Sequence, residues 1–180
     1  MPRNRILHLL VVALTALVPA ACADRAPMAA TSVDPRWADG ALPEDATVFD
    51  DEYPGVANLD PALLRALREA ATDAGIAFYV NSGWRSPKRQ NQLLRDAVAQ
   101  YGSKEEAARW VATAKRSRHV VGDAVDLGPP DATSWLAEHG AGYGLCQIYR
   151  NEPWHYELRA ADHGCPAMYA DPTHDPRMHQ

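Results

Sequence analysis

Two histidines and two carboxylates in the second half of the chain have the types and spacing to hold a metal ion and move a proton beside it. His119 and Asp126 stand seven positions apart in SRHVVGDAVDLG (117–128), and Glu152 and His155 stand three apart in YRNEPWHYEL (149–158). His119, Asp126 and His155 together offer two neutral nitrogens and one anionic oxygen. That mixed donor set suits zinc in a catalytic site with a fourth position open to water. Glu152 is then left over as a candidate base. Each residue also has an ordinary reading: a satisfied core histidine, an aspartate capping a turn, a glutamate facing solvent. Spacing raises the metal reading but leaves both open.

The elements that carry these residues set conditions on the geometry. With 122–127 extended, Gly122, Ala124 and Asp126 share one face, so Asp126 projects between very small neighbours, and a turn at Gly122 would bring His119 beside it. Glu152 and His155, by contrast, would point to opposite faces of a continuous strand. Pro153 fixes its own φ and donates no ladder hydrogen bond, so a bend there would let Glu152 swing toward His155. Trp154 is then expected on the opposite face, in packing. Glu157 shares the face of His155, where it either orients the imidazole or faces solvent.

Around them the chain reads as an α+β domain. Asp60 as N-cap, Pro61, apolar positions at Leu63, Leu64, Leu67, Ala70, Ala71 and Ala74, and Gly75 predict one amphipathic helix. IAFYV (76–80) predicts a buried strand, and Ser86, Pro87 and Gly102 bracket a second helix. Ser103 and Glu106 form a capping-box pattern for a third helix, running to about Lys115. Strands are expected at 123–127, 144–149 and 154–158, with a short helix at 132–140. Trp110 and Trp135, at helical positions, are expected in the core. Early helices and late strands together predict helices packed on a small antiparallel sheet. The domain is placed at 51–165, with 22–50 a linker rich in Ala, Pro and Asp and 166–180 a largely disordered tail.

The segment 1–21 carries Arg3 and Arg5, an apolar run from Ile6 to Val18 and small side chains before Cys22. This is the layout of a secretory signal peptide, and the run is shorter than the roughly 20 residues a membrane-spanning helix needs. Cys22 after Ala20 and Ala21 fits a lipoprotein processing site, although Pro19 stands where an aliphatic residue is usual; ordinary cleavage nearby is the alternative. The expected location is the cell envelope, on the outer face of the cytoplasmic membrane. With Cys22 lipidated, Cys146 and Cys165 remain as an even pair in an oxidising compartment, where a disulfide between them would bracket the EPWH segment. The whole chain holds 18 Lys and Arg against 23 Asp and Glu. That acidic balance excludes nucleic acid as the main partner, since phosphate binding needs a basic stripe. The one basic cluster, KRSR at 115–118, either attracts an anionic substrate or ends a helix favourably against its dipole.

SGWRS (82–86) with Gln90, SRHVVGDAVD (117–126) and EPWHYE (152–157), in this order, resemble the motifs of the VanY-type D-alanyl-D-alanine carboxypeptidases over about residues 52–160. The resemblance implies the zinc-peptidase fold shared with the Hedgehog signalling domain. It implies one Zn2+ held by His119, Asp126 and His155, with Glu152 as catalytic base. Arg85 is implied at the scissile carbonyl or the substrate terminus, and Gln90, Ser117 and Trp84 in the substrate pocket, Trp84 replacing the more frequent Tyr. The expected activity is removal of the terminal D-alanine from peptidoglycan stem peptides. L,D-carboxypeptidase or endopeptidase action on the same fold, and a zinc-stabilised binding module without turnover, are the alternatives.

Overall fold

The computed structural model describes residues 34–160 and 164–179. The signal peptide expected at 1–21, Cys22 and the first part of the linker lie outside the described residues.

Two helices open the domain, α1 (Pro54–Ala57) and α2 (Pro61–Ala74). Asp60 caps α2 by accepting from the backbone N–H groups of Ala62 and Leu63, and Gly75 ends it in a left-handed conformation at φ 64°. Both ends follow from residue chemistry: a carboxylate for orphan donors, and a residue without Cβ for positive φ. The buried face of α2 carries Leu63, Ala66, Leu67, Ala70 and Ala71. Strand β1 (Tyr79–Ser82) follows, then α3 (Pro87–Tyr101), capped by Ser86, and α4 (Lys104–Ala107), capped by Ser103. Strand β2 (Ala124–Gly128), helix α5 (Pro130–His139), and strands β3 (Leu145–Gln147) and β4 (His155–Leu158) complete the framework.

The four strands form one antiparallel sheet in the order β1-β2-β4-β3. Leu63 and Leu67 of α2 and Leu136 of α5 belong to one core cluster with Phe78, Val80, Val125, Leu127, Leu145 and Tyr156, all essentially sealed from solvent. Each such side chain contributes about 1.5–3 kcal/mol by burial, so Leu67→Ala is expected to cost about 2–5 kcal/mol. The α+β architecture expected from the order of elements is the one observed. Among the described residues, no helix is long and apolar enough to cross a membrane.

Three expectations need correction. The third helix stops at Ala107 instead of continuing to Lys115. Beyond it the Ala112 carbonyl turns to accept from the Gln90 side-chain amide at 2.8 Å, and Trp110, outside any helix, stacks on Tyr101 with ring centroids 5.8 Å apart. The linker assignment fails for residues 34–50. Trp37 packs edge-on against Tyr53, Thr47 pairs with Tyr79, and Ala46 and Val48 are buried. The tail expected to be disordered is folded onto the domain over 166–179. Tyr169 exchanges backbone hydrogen bonds with Ile148 and Arg150, Asp171 and Asp175 cap two single-turn 3-10 helices, and both aspartates are buried. Neither segment has an apolar period: Val48, Leu42 and backbone hydrogen bonds to Phe78 and Val80 tie the first to the core, and charge pairs with single aromatic contacts hold the second.

Candidate active site

Asp126 lies on the central strand β2 and His155 is its direct cross-strand partner on β4. Residues paired in this way project to the same side of the sheet, so the pairing itself aims the carboxylate and the imidazole at one point. His119 reaches that point from the loop before β2. The chain reverses between them at Gly122, which has φ 82° and donates its N–H to the His119 carbonyl. A side chain on Gly122 would place its Cβ 2.4 Å from the Asn58 carbonyl oxygen, so this turn requires glycine.

The three donor atoms converge. His119 Nε2 is 3.3 Å from His155 Nδ1 and 3.4 Å from Asp126 Oδ1, and His155 Nδ1 is 3.1 Å from Asp126 Oδ1. Bonds of about 2.0–2.1 Å in a tetrahedral zinc site put neighbouring ligands about 3.3–3.4 Å apart, so the triangle has the right size. Its electronic arrangement agrees. His119 Nδ1–H donates to the Gly83 carbonyl at 2.9 Å, and His155 Nε2–H donates to the Glu157 carboxylate at 3.3 Å. With those hydrogens committed, two imidazole lone pairs and a carboxylate oxygen face one another with no proton between the rings. Such a cluster calls for a cation, and the residues fit zinc.

Electrostatics point the same way. Burial lowers His119, with Arg85 adding to the effect, and keeps it in the neutral form that binds metal. Burial also opposes charge on His155, but the hydrogen bonds to Asp126 and Glu157 outweigh it and raise His155 to about 9. Asp126 is held well below the usual carboxylate range: burial resists its charge, and His119, His155 and Arg85 prevail.

EPWH is a tight turn, not a bent strand. The His155 N–H donates to the Glu152 carbonyl at 3.0 Å, closing a four-residue loop with Pro153 at its second position, and β4 begins only at His155. The turn answers the parity problem, bringing Glu152 Oε2 to 3.6 Å from His155 Nδ1. Glu152 is buried, and its Oε1 has no hydrogen-bond partner. Burial pushes its carboxyl up to about 7, a value suited to a group that takes and returns a proton near neutrality.

Arg85 donates through Nη2 to Asp126 Oδ2 at 2.7 Å, through Nε to Ser82 Oγ at 2.6 Å and through Nη1 to Gln90 Oε1 at 3.2 Å. It therefore orients the aspartate while lining the cleft. Gln90 and Ser117 are buried and line the same cleft, about 220 Å³ in volume. Trp84, expected there, is not among its lining residues. Its indole N–H donates to the Val120 carbonyl at 3.1 Å, anchoring the His119 loop from behind. Trp154 is also displaced from expectation, 39% exposed at the rim of the cleft and not packed beneath the strand.

Sequence reasoning missed the walls of the cleft: Tyr101, Trp110, Tyr149 and, from the tail, Pro172 and Met178. It also left the role of Glu157 open. Glu157 is wholly buried and holds the His155 ring, while Arg177 donates to it through Nη1 at 2.7 Å and Nη2 at 3.3 Å. Arg177 also pairs with Asp175, which accepts from the Tyr149 hydroxyl at 2.9 Å. The alternation Glu157, Arg177, Asp175 gave no sequence signal because Glu157 and Arg177 stand 20 residues apart with no hydrophobic period to relate them. Cys146 and Cys165 are joined in a disulfide that fastens the start of this tail to β3, as their parity led us to expect.

Comparison with known proteins agrees with the geometry. The VanY family profile, described as D-alanyl-D-alanine carboxypeptidase, matches residues 59–161. A D-alanyl-D-alanine carboxypeptidase of Enterococcus faecalis is 31% identical over 118 residues, covering 52% of this chain and 44% of that relative, so the chain spans less than half of its length. Among solved structures, a mutant of the vancomycin-resistance D,D-pentapeptidase VanY in complex with Zn(II) aligns with TM-score 0.52 at 26% identity, over 58% of this chain and 74% of that one. VanYB in complex with D-alanine-D-alanine gives 0.53 at the same identity and coverage. The L,D-carboxypeptidase LdcB, at 22% identity and TM-score 0.52, shares the fold. With its ordered motifs on one sheet and more than half of its length matched, the chain belongs to the VanY D-alanyl-D-alanine carboxypeptidase family.

Proposed function

We propose that the protein is an exported zinc-dependent D,D-carboxypeptidase that removes the terminal D-alanine from peptidoglycan stem peptides. The observation that carries this reading is the convergence of His119, Asp126 and His155 beside a buried Glu152 with one unpartnered carboxylate oxygen. Zinc held by these three residues would supply Lewis acidity and lower the pKa of a bound water toward about 7. Glu152 acts as the base: its carboxylate, with Oε2 3.6 Å from His155 Nδ1, accepts the proton of the attacking water and afterwards returns it to the leaving amine. Arg85 has its guanidinium tied to Asp126, Gln90 and Ser82, so it holds the site rigid and presents fixed positive charge where negative charge develops on the substrate carbonyl. Tyr101, Trp110 and Trp154 wall the cleft and limit access of bulk water.

Export rests on the leader-like segment 1–21, and attachment through Cys22 would tether the domain to the outer face of the membrane. The disulfide suits an oxidising compartment. The test is product analysis. Zinc-loaded protein incubated with a synthetic pentapeptide ending in D-Ala-D-Ala should release one D-alanine by mass. Cleavage inside the stem, or only after an L-residue, would assign the endopeptidase or L,D activity instead, and absence of any product would leave the binding module.

A further inference from the structure

Beside the catalytic cleft lies a second cavity of about 920 Å³, and the two share Val111, Ala112, Pro172 and Met178 as a common wall. Its volume is at the upper end of ordinary ligand pockets, about 300–1,000 Å³, whereas the catalytic cleft falls below that range. The smaller space suits a peptide terminus but not the chain behind it.

The lining of the larger cavity is specific in chemistry. Leu94, Val98 and Val111 give it apolar, half-buried surface, and Arg95, Lys104, Lys115 and Arg116 contribute four cations, with no carboxylate among the lining residues. This is unexpected in a chain with a formal charge of −5. Lys115 and Arg116 are half of the KRSR cluster, whose other half, Ser117 and Arg118, lines the catalytic cleft. The cluster therefore lies across the junction of the two spaces. The cluster lies well past the end of α4 at Ala107, so it does not end that helix; Arg116 instead donates to the carbonyl of Met178, which closes the second 3-10 helix of the tail, and Lys115 is left exposed.

We infer that the larger cavity is the acyl-side extension of the active site, which receives the upstream part of an extended peptide and pairs its carboxylates with Lys104, Lys115 and their neighbours. This rests on the peptidase reading above. An exopeptidase must pass the remainder of its substrate out of the catalytic cleft, and this cavity adjoins the cleft along Val111, Ala112, Pro172 and Met178. Lys104 and Lys115 are exposed on its rim and able to meet an anion, while Arg116 is occupied with the Met178 carbonyl and fixes the tail that forms the wall. Two of the four wall residues, Pro172 and Met178, come from the tail, beyond the residues matched by the family profile.

The test measures binding, so that it does not depend on turnover. Two fluorescent pentapeptides ending in D-Ala-D-Ala, differing only in whether a D-glutamyl residue carries its free α-carboxylate or an amide, are titrated against zinc-loaded Glu152→Gln protein by anisotropy. The acidic peptide should bind about 3–10-fold more tightly, the range expected from one or two exposed charge contacts. That ratio should fall to near one in the Lys104→Ala/Lys115→Ala variant and stay at the Glu152→Gln value when Arg65, a remote cation on α2, is changed to Ala. Equal affinities, a preference that survives the double substitution, or the same loss in Arg65→Ala would overturn the inference. Wild-type protein that shows the binding preference yet releases no D-alanine would refute the peptidase reading and leave the anion site standing.

Discussion

The two histidines of the site are held by opposite means. His119 is held by backbone: its ring donates to the Gly83 carbonyl, its loop turns at Gly122, and Trp84 anchors the same loop through Val120. His155 is held by charge: Glu157 takes its second nitrogen, and Arg177, from the C-terminal end of the chain, holds Glu157. The first arrangement is built from loops within the family's matched region. The second depends on a C-terminal segment outside it. One ligand should therefore fail through the fold, the other through an ionic network.

The largest effect is expected on the ionic side. Glu157→Gln leaves Arg177 and Arg159 facing a buried amide, and breaking a buried pair of this kind costs about 3–5 kcal/mol. Thermal or urea unfolding of the zinc-free protein measures it. Replacing Cys146 and Cys165 by Ser should cost about 2–4 kcal/mol by releasing the tail's first anchor. On the backbone side, a Cβ at Gly83 would lie 2.0 Å from the Gly55 carbonyl oxygen, so Gly83→Ala should cost about 1–3 kcal/mol while the folded fraction keeps its zinc affinity. Arg177→Ala breaks the same buried pair from its other side and should in addition weaken zinc about 10–100-fold in chelator competition, because the support of a ligand is lost while the ligand remains. Arg109→Ala, which loosens the tail at Asp171 without touching Glu157, separates this from general tail loosening; its zinc affinity should stay near wild type.

Acid should expose the same asymmetry. Burial resists charge on Glu157, yet hydrogen bonds from His155 and Arg177 hold its carboxyl below the ordinary range, and Asp175 is lowered by Arg177 against burial in the same way. A depressed carboxyl pKa contributes stability that is present above the unfolded value, near 4.5 for Glu157 and 3.8 for Asp175, and is lost as pH falls through the folded value. Stability should therefore decline below about pH 4.5, and the decline should be shallower in Arg177→Ala. A parallel decline in both proteins would show that the network is not its source.

The same division explains what could be read from the sequence. Asp60, Ser86, Gly75 and Gly102 marked helix ends because capping is a local match between one residue and its neighbouring backbone. The convergence of His119, Asp126, His155 and Glu152 was legible because their spacing is tied to one sheet and one turn. Trp84 was misplaced because its motif position fixes the residue but tertiary packing fixes its direction. The folded tail was invisible for a stronger reason: its stability comes from Arg177 with Glu157 and Arg109 with Asp171, contacts spanning 20 and 62 residues with no hydrophobic period to betray them.

The central claim assigns three side chains to the metal and reserves Glu152 for the proton. Zinc stoichiometry and kcat of Glu152→Gln, measured side by side with wild type on the same pentapeptide, test it most directly. The expected result is one zinc per chain in both proteins and a kcat lower by about 10²–10⁴-fold in the variant. Loss of zinc from the variant would make Glu152 a ligand, and an unchanged kcat would remove it from the chemistry; either contradicts the assignment.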